Sequence, residues 1–397
     1  MSVSYRRYPK MAKGKRQKLQ SPEIRKEYLD AVLQLAGAES TSSPKWQDPA
    51  FDHECFWRFL RCHLLTNLAW TWLDGNQPAN ASAAYMEQVA RHRAGRLPRQ
   101  AHLWSEMQRL DATLQEAGIE YAVLKGFPLS SRLYGDIQSR HQGDIDILVD
   151  VEQIPGVIES LTRHGYAMKR GRRRITQQKL RTEHAMDFKS ESVSIDVHWR
   201  LRTAPAYAID NNAIWASRRQ ADVEGRTLPA LSDEYQLTLL LLSMVHSLGS
   251  ASLRLKHATD AYLLASVMDA ETDWRSFLER RRADNTLHAV ANGLAMLFHL
   301  FRVHHRLSVL WNAVEASGAP LYVATYEEAW QIASRSRGAI ENQLWFAQVY
   351  PGSKLRGAMW LVDREFAHVG RIPVMAYRAL RTGCQLTRFF CNRLAAR

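Results

Sequence analysis

Phe56, Phe59, Leu60, Leu64, Leu68 and Trp72 recur at spacings of three and four, the repeat of a helix with one buried face. The pattern predicts one amphipathic helix over residues 51–73. A shorter helical pattern precedes it at 27–35, across a Ser/Thr/Pro stretch at 39–45, and Asp74-Gly-Asn-Gln-Pro stops it. Two more helical patterns follow, at 82–93 and 101–116. At Gly118 the period changes. Residues 119–124 form a short apolar run left through Lys125-Gly126, and 145–149 form a second. A third, 193–201, alternates Ile195, Val197 and Trp199 on one face with Asp196, His198 and Arg200 on the other, as a half-buried strand does. A helical pattern at 154–163 lies between the second and third runs and ends at His164-Gly165.

Beyond Pro229 the reading returns to helix: Ser232 suits an N-cap, Asp233 and Glu234 suit the first turn, and 237–248 supplies the apolar body. Further helical patterns occupy 253–265, 274–279, 287–303, 324–334 and 340–349. The expected fold class is therefore α+β, a small mixed-sheet core inserted between mainly helical N- and C-terminal regions. The expected divisions are a basic tail at 1–26, a helical region at 27–110, the α/β core at 111–205 and a second helical region at 206–397.

Composition narrows the functional classes. With 46% hydrophobic residues in 397, the chain can bury a sizeable core. Its best apolar run, 237–245, is interrupted by Thr238 and Ser243 and falls short of the roughly 18 residues a bilayer span needs. No apolar signal core follows the basic start, so a cytoplasmic location is expected. Four cysteines make no disulfide scaffold, and Cys55 and Cys62, near His53 and His63, lack the spacing of a metal site. The formal charge is +13, but residues 1–26 carry +8 and 351–397 carry +7, leaving −2 for 27–350. The basic character belongs to the ends, so nucleic acid is not the favoured partner.

The chemistry concentrates around 121–150. Side chains two apart on a strand face the same way, so Asp144 and Asp146 project together while Ile145, Ile147 and Val149 enter the core. Two carboxylates in one cleft repel each other, and a divalent cation removes that repulsion. Asp196 is the natural third ligand if its strand pairs beside 144–149. Three carboxylates on two strands can hold two hard cations, Mg²⁺ by ligand type. Arg140, four residues before Asp144, can direct its planar fork at phosphate oxygens or can hold its loop through a salt bridge.

Leu124-Lys125-Gly126, Arg140, Asp144-Ile-Asp146 and Asp196-Val-His198-Trp199 together resemble the uncharacterised nucleotidyltransferase family of the DNA polymerase beta-like superfamily. The resemblance covers about residues 100–270 and continues through His246 and Leu253-Arg-Leu-Lys-His-Ala-Thr-Asp260. It implies a mixed nucleotidyltransferase sheet flanked by helices, with Asp144 and Asp146 as metal ligands. Asp196 would complete the site and accept the substrate's hydroxyl proton. Lys125 would contact phosphate, and Gly126 would allow close backbone approach at the nucleotide turn. The chain departs from the broader superfamily, which usually has Gly-Ser at this turn. Gly249-Ser250 is a poor substitute because it follows a helical pattern.

His198 shares the Asp196 face and either touches substrate, orients a carboxylate or makes a structural hydrogen bond. His246, His257, Lys256 and Asp260 lie in helical patterns that can reach the cleft; Lys256 and Asp260 can also pair with each other at i,i+4. The basic run Lys169-Arg-Gly-Arg-Arg-Arg174, with Lys179 and Arg181, either lines the cleft or forms a solvated hairpin. The apolar and basic residues of 359–394 either dock on a membrane surface or partner, or close the helical region. The leading expectation is transfer of an NMP group from an NTP, with ATP the first choice, to a hydroxyl or other nucleophile on a small molecule or peptide, releasing pyrophosphate. The alternatives are metal-dependent phosphotransfer, and a nucleic-acid- or protein-binding module that has lost catalysis.

Overall fold

The three apolar runs meet as the middle of one sheet in the computed structural model, which describes residues 26–37, 45–73, 81–168, 180, 183–190, 192–202, 207–248, 254–326 and 328–329. Its strands are β1 (Tyr121–Val123), β2 (Ile145–Val149), β3 (Ala167–Met168), β4 (Ala185–Lys189), β5 (Ser194–His198), β6 (Arg219–Val223) and β7 (Arg226–Ala230). They lie in the order β3-β4-β5-β2-β1-β7-β6. Strands β2 and β5 run parallel, as do β1 and β7, while β1–β2, β4–β5, β3–β4 and β6–β7 are antiparallel. The sheet is mixed, with helices before and after it in the chain.

Alternation gives the sheet two unlike faces. Ile145, Ile147, Val149, Ile195, Val197, Met186 and Phe188 pack on one side with Leu103, Met107, Leu110 and Leu114 of α4 (Ala83–Glu116) and with Ile154, Val157 and Leu161 of α6 (Ile154–Arg163). On the other side Ala122, Leu124 and Leu148 meet Leu231, Tyr235 and Leu239; the last two belong to α8 (Asp233–Leu248). That second face is apolar at β1 and at Leu148 and polar where Asp146, Asp196 and Asp187 lie side by side. Helix α8 also packs on α9 (Leu255–Met268) and α11 (Leu287–Phe301).

Several expectations are corrected. The predicted helix over 51–73 is two, α2 (His53–His63) and α3 (Thr66–Leu73), because Leu64 adopts φ 60° and its N–H closes on Leu60 O. The apolar spacing runs through the break because both helices bury the same side in one core. Conversely, the patterns at 82–93 and 101–116 are one helix, α4, with Pro98 inside it. An interior proline costs about 3 kcal/mol, and burial of Tyr85 and Val89 before it and of Leu103, Met107 and Leu110 after it holds the helix through that position. The sheet also continues past residue 205, since the β6–β7 hairpin joins at β1. Its Glu224-Gly225 turn has φ 53° and 72°, the doubly left-handed geometry of a tight hairpin.

The helices α7 (Asn211–Ala216) and α12 (Ser308–Ala316) were not anticipated. Among the described residues no helix is long and apolar enough to cross a membrane. The tail at 1–25, the basic run from Lys169 to Arg174 with Lys179 and Arg181, Gly249-Ser250, the pattern at 340–349 and the 359–394 segment lie outside the described residues, as does most of 324–334.

Candidate active site

Strand register brings the predicted carboxylates together. Parallel pairing of β2 with β5 sets Asp146 beside Asp196, and Ile145 beside Ile195 keeps both acids on the polar face. Antiparallel pairing of β4 with β5 sets Asp187 beside Asp196. A row of acids, Asp146, Asp196 and Asp187, therefore crosses three strands, with Asp144 immediately before β2 and two residues from Asp146. Asp187 was missed. Its signal was Met186 and Phe188 on either side, the same alternation that exposed Asp196.

The turn after β1 opens at the same place, since Leu124 N donates to Asp146 O at 2.9 Å. Lys125 and Gly126 follow with φ 54° and 51°. A side chain at Gly126 would have to adopt that left-handed backbone and would put Cβ 3.3 Å from Val123 Cγ1. Lys125 precedes α5 (Gly126–Tyr134), and no side chain caps this helix start. Its free amides and positive dipole end suit an anion.

Positive groups surround the acids. Lys125 Nζ lies 3.3 Å from Ser243 Oγ of α8, and burial pulls its ammonium down to about 8 against the attraction of Asp146. Lys256 of α9 donates to His141 O at 3.1 Å; burial and the Arg140 charge pull it down to about 7. Arg140 Nε pairs with Asp260 Oδ2 at 2.9 Å, and Tyr134 donates to Asp260 Oδ1 at 2.8 Å. The Asp260 carboxylate is wholly buried, with Arg140 and Tyr134 as its partners. Lys256 and Asp260 share α9 but do not pair with each other at hydrogen-bond distance.

His198 Nε2 lies 3.1 Å from Asp146 Oδ1. Burial opposes the charge on Asp146, yet the His198 hydrogen bond, with Lys125 and Arg202 nearby, holds its carboxyl well below the usual range. Asp144 goes the other way: loss of solvation and then the Asp146 charge push it up, and Lys256, Lys125 and Arg140 partly offset them. His246 stands three residues beyond Ser243 on α8, with Nε2 3.3 Å from the Tyr207 hydroxyl. Burial, then Lys256 and Lys125, push the His257 imidazole well below its ordinary range.

Two further anchors fix the loop that delivers Arg140. Gln100 of α4 donates to Ile137 O, Gln138 O and Arg140 O at 3.1, 3.2 and 2.9 Å, and Asn67 of α3 donates to Gln138 O at 2.7 Å. Neither residue carried a signal in the sequence, because both sit on helices remote from the motif.

The acids fit hard-cation chemistry. The repulsion that raises Asp144 is what a divalent cation relieves, and the donors are all carboxylate oxygens. Among the described residues no group of three or more acidic, histidine or cysteine side chains forms a ready-made metal cage. Mg²⁺ is commonly bound in another way, by one or two carboxylates with substrate phosphates and water.

A protein-family profile described as uncharacterised nucleotidyltransferase matches residues 49–302. Comparison with curated proteins finds no match. Among solved structures, the solution structure of the antibiotic-resistance factor ANT(2'')-Ia is 16% identical, covers 45% of this chain and 88% of its own, and has a TM-score of 0.33. The lincomycin-bound lincosamide antibiotic adenylyltransferase LnuA is 20% identical over 41% of this chain and 96% of its own, with a TM-score of 0.29. An antigenic nucleotidyltransferase-like protein from Paracoccidioides brasiliensis is 15% identical over 57% and 95%, also at 0.29.

Proposed function

The chain belongs to the uncharacterised nucleotidyltransferase family, and from that premise we propose that it moves an NMP group from an NTP, with ATP as donor, to a hydroxyl or other nucleophile on a small molecule or peptide, releasing pyrophosphate. The observation that carries this reading is the Asp146–Asp196 register pair, with Asp144 beside it and the Lys125-Gly126 turn hydrogen-bonded to the same strand through Leu124 N and Asp146 O.

In this assignment Lys125 and the uncapped start of α5 take the phosphates, with Arg140 adding positive charge from its Asp260 anchor. Asp144, Asp146 and Asp196 would hold Mg²⁺, two ions by the number of carboxylates, whose charge stabilises the transferring and departing phosphate oxygens. Asp196 accepts the proton from the acceptor hydroxyl. The acceptor oxygen forms its bond to the α-phosphorus, the bond from that phosphorus to the bridging oxygen breaks, and the electron pair leaves with pyrophosphate. His198 keeps Asp146 aimed during the step. Helices α8 and α9 bring Ser243 and Lys256 over the polar face, and a face covered in this way suits a small acceptor better than a long polymer.

Calorimetric titration of ATP into the full chain tests the reading. Binding in Mg²⁺ that disappears with excess chelator is expected. Equal binding under both conditions contradicts the metal-centred site.

A further inference from the structure

Two cations from distant parts of the chain meet on one neutral hydroxyl. Arg202, four residues past the end of β5, places Nη2 3.0 Å from Ser243 Oγ. Lys125, from the turn after β1, places Nζ 3.3 Å from the same atom. Ser243 is 1% exposed, and its own hydrogen is given to Leu239 O at 2.6 Å, so Oγ accepts from both cations. Neighbouring like charges raise the cost of keeping each ionised. That cost is visible at Lys125: burial lowers its ammonium, Asp146 resists the shift, and Arg202 and Arg140 add to it.

The same guanidinium reaches towards the acid row. Arg202 Nη1 lies 3.5 Å from His184 Nε2. The His184 ring stands 5.5 Å from that of His198, which bonds Asp146. Lys125 also opens the uncapped start of α5. An anion with several oxygens placed there would accept hydrogen bonds from both cations, and the planar fork of arginine matches phosphate in two parallel hydrogen bonds.

We propose that Arg202 is a second phosphate-binding residue of the donor site, acting with Lys125 on the phosphates that leave as pyrophosphate, while Ser243 holds both cations in place between turnovers. The assignment rests on the nucleotidyl-transfer reading for the identity of the anion; the convergence of two cations on Ser243 supplies the site itself. Arg202 carried no signal in the sequence, since it lies beyond the Asp-x-His-Trp motif and becomes informative only when α8 brings Ser243 against it.

The test uses the full chain, wild type, Arg202→Gln and Arg202→Lys, titrated calorimetrically in Mg²⁺ with ATP, inorganic triphosphate and AMP. Arg202→Gln is expected to bind ATP and inorganic triphosphate about 10- to 100-fold more weakly, the range for losing hydrogen bonds to a charged group, with AMP affinity unchanged. Arg202→Lys keeps the charge and loses the fork, so it shows a smaller loss for the same two ligands; if the Gln variant does not fold, this variant carries the test. A folded variant that binds inorganic triphosphate as tightly as wild type overturns the assignment. If ATP binding survives intact in that variant, the nucleotide reading stands without Arg202. If wild type binds inorganic triphosphate through Arg202 but binds ATP no more tightly with Mg²⁺ than with chelator, the anion site stands and the nucleotide reading falls. A wild type that binds neither overturns both.

Discussion

Arg140 and Asp260 form an ion pair of 2.9 Å in which the side chains are 3% and 0% exposed. It ties the loop before β2 to α9, and the Tyr134 hydroxyl completes it from the end of α5. Removing one member of a buried pair leaves the other charge uncompensated, at a cost of about 3–5 kcal/mol. Asp260→Ala is expected to lose stability on that scale in urea denaturation, and Asp260→Asn, which keeps an acceptor for Arg140 and Tyr134, is expected to lose less. Wild-type stability in Asp260→Ala would remove the pair as the anchor of this loop.

Gln100 holds the same loop from the other side. Gln100→Ala strips a buried donor from the carbonyls of Ile137, Gln138 and Arg140, and unsatisfied buried groups cost about 1–3 kcal/mol. The expected signature is a lower denaturation midpoint with faster hydrogen exchange confined to the 137–142 amides. Unchanged exchange there would mean that Asn67 alone secures the loop.

The middle of the sheet was legible because its strands alternate. Ile145, Ile147, Ile195 and Val197 marked their faces, and the acids between them followed. Strand β4 sat next to a basic run, and β6–β7 carried too few apolar residues to stand out, so the sheet looked narrower than it is. Leu64 and Pro98 misled in opposite directions. A left-handed leucine breaks a helix without interrupting its apolar spacing, whereas a proline signals a break that packing on both sides overrides. Among the candidate site residues, Lys125, Arg140, Asp144, Asp146 and Asp196 stood out in the sequence, and Asp187 did not. Nor did Ser243, Arg202, Asn67 and Gln100, because their importance comes from tertiary contacts between segments far apart in sequence.

Gly126 carries a backbone demand that alanine meets poorly. At φ +51° a Cβ faces left-handed strain of roughly 1–2 kcal/mol, with Val123 Cγ1 3.3 Å away. Gly126→Ala is expected to weaken ATP binding in calorimetry by more than it lowers the melting temperature, because the strain falls on the turn that presents the α5 amides. Unaltered ATP affinity would show that the turn does not contact the donor.

The lowered Lys256 ammonium gives stability a pH dependence of definite sign. Its value is about 7 in the folded protein against an ordinary 10.5, so between those values the unfolded chain binds more protons. Stability from this group therefore rises with pH across that window, and the penalty for burying the ammonium is at full size below about pH 7. Lys256→Met removes the penalty. The variant is expected to exceed wild type in stability near neutral pH, with the difference shrinking as pH rises towards 9. A difference independent of pH in denaturation curves would contradict the depressed ammonium.

We assign Asp196, paired with Asp146 across β2 and β5, to the acceptor side of nucleotidyl transfer. The most direct measurement incubates wild type and Asp196→Asn with separately α- and γ-labelled ATP, Mg²⁺ and a cell-extract acceptor pool, then identifies the labelled product by mass spectrometry. Wild type is expected to place the α-label in the acceptor and release pyrophosphate. Asp196→Asn is expected to retain ATP binding while transfer falls by roughly 10²-fold or more, the scale of losing a major electrostatic element. γ-label in the acceptor, or full α-transfer by a correctly folded Asp196→Asn protein, would contradict the account.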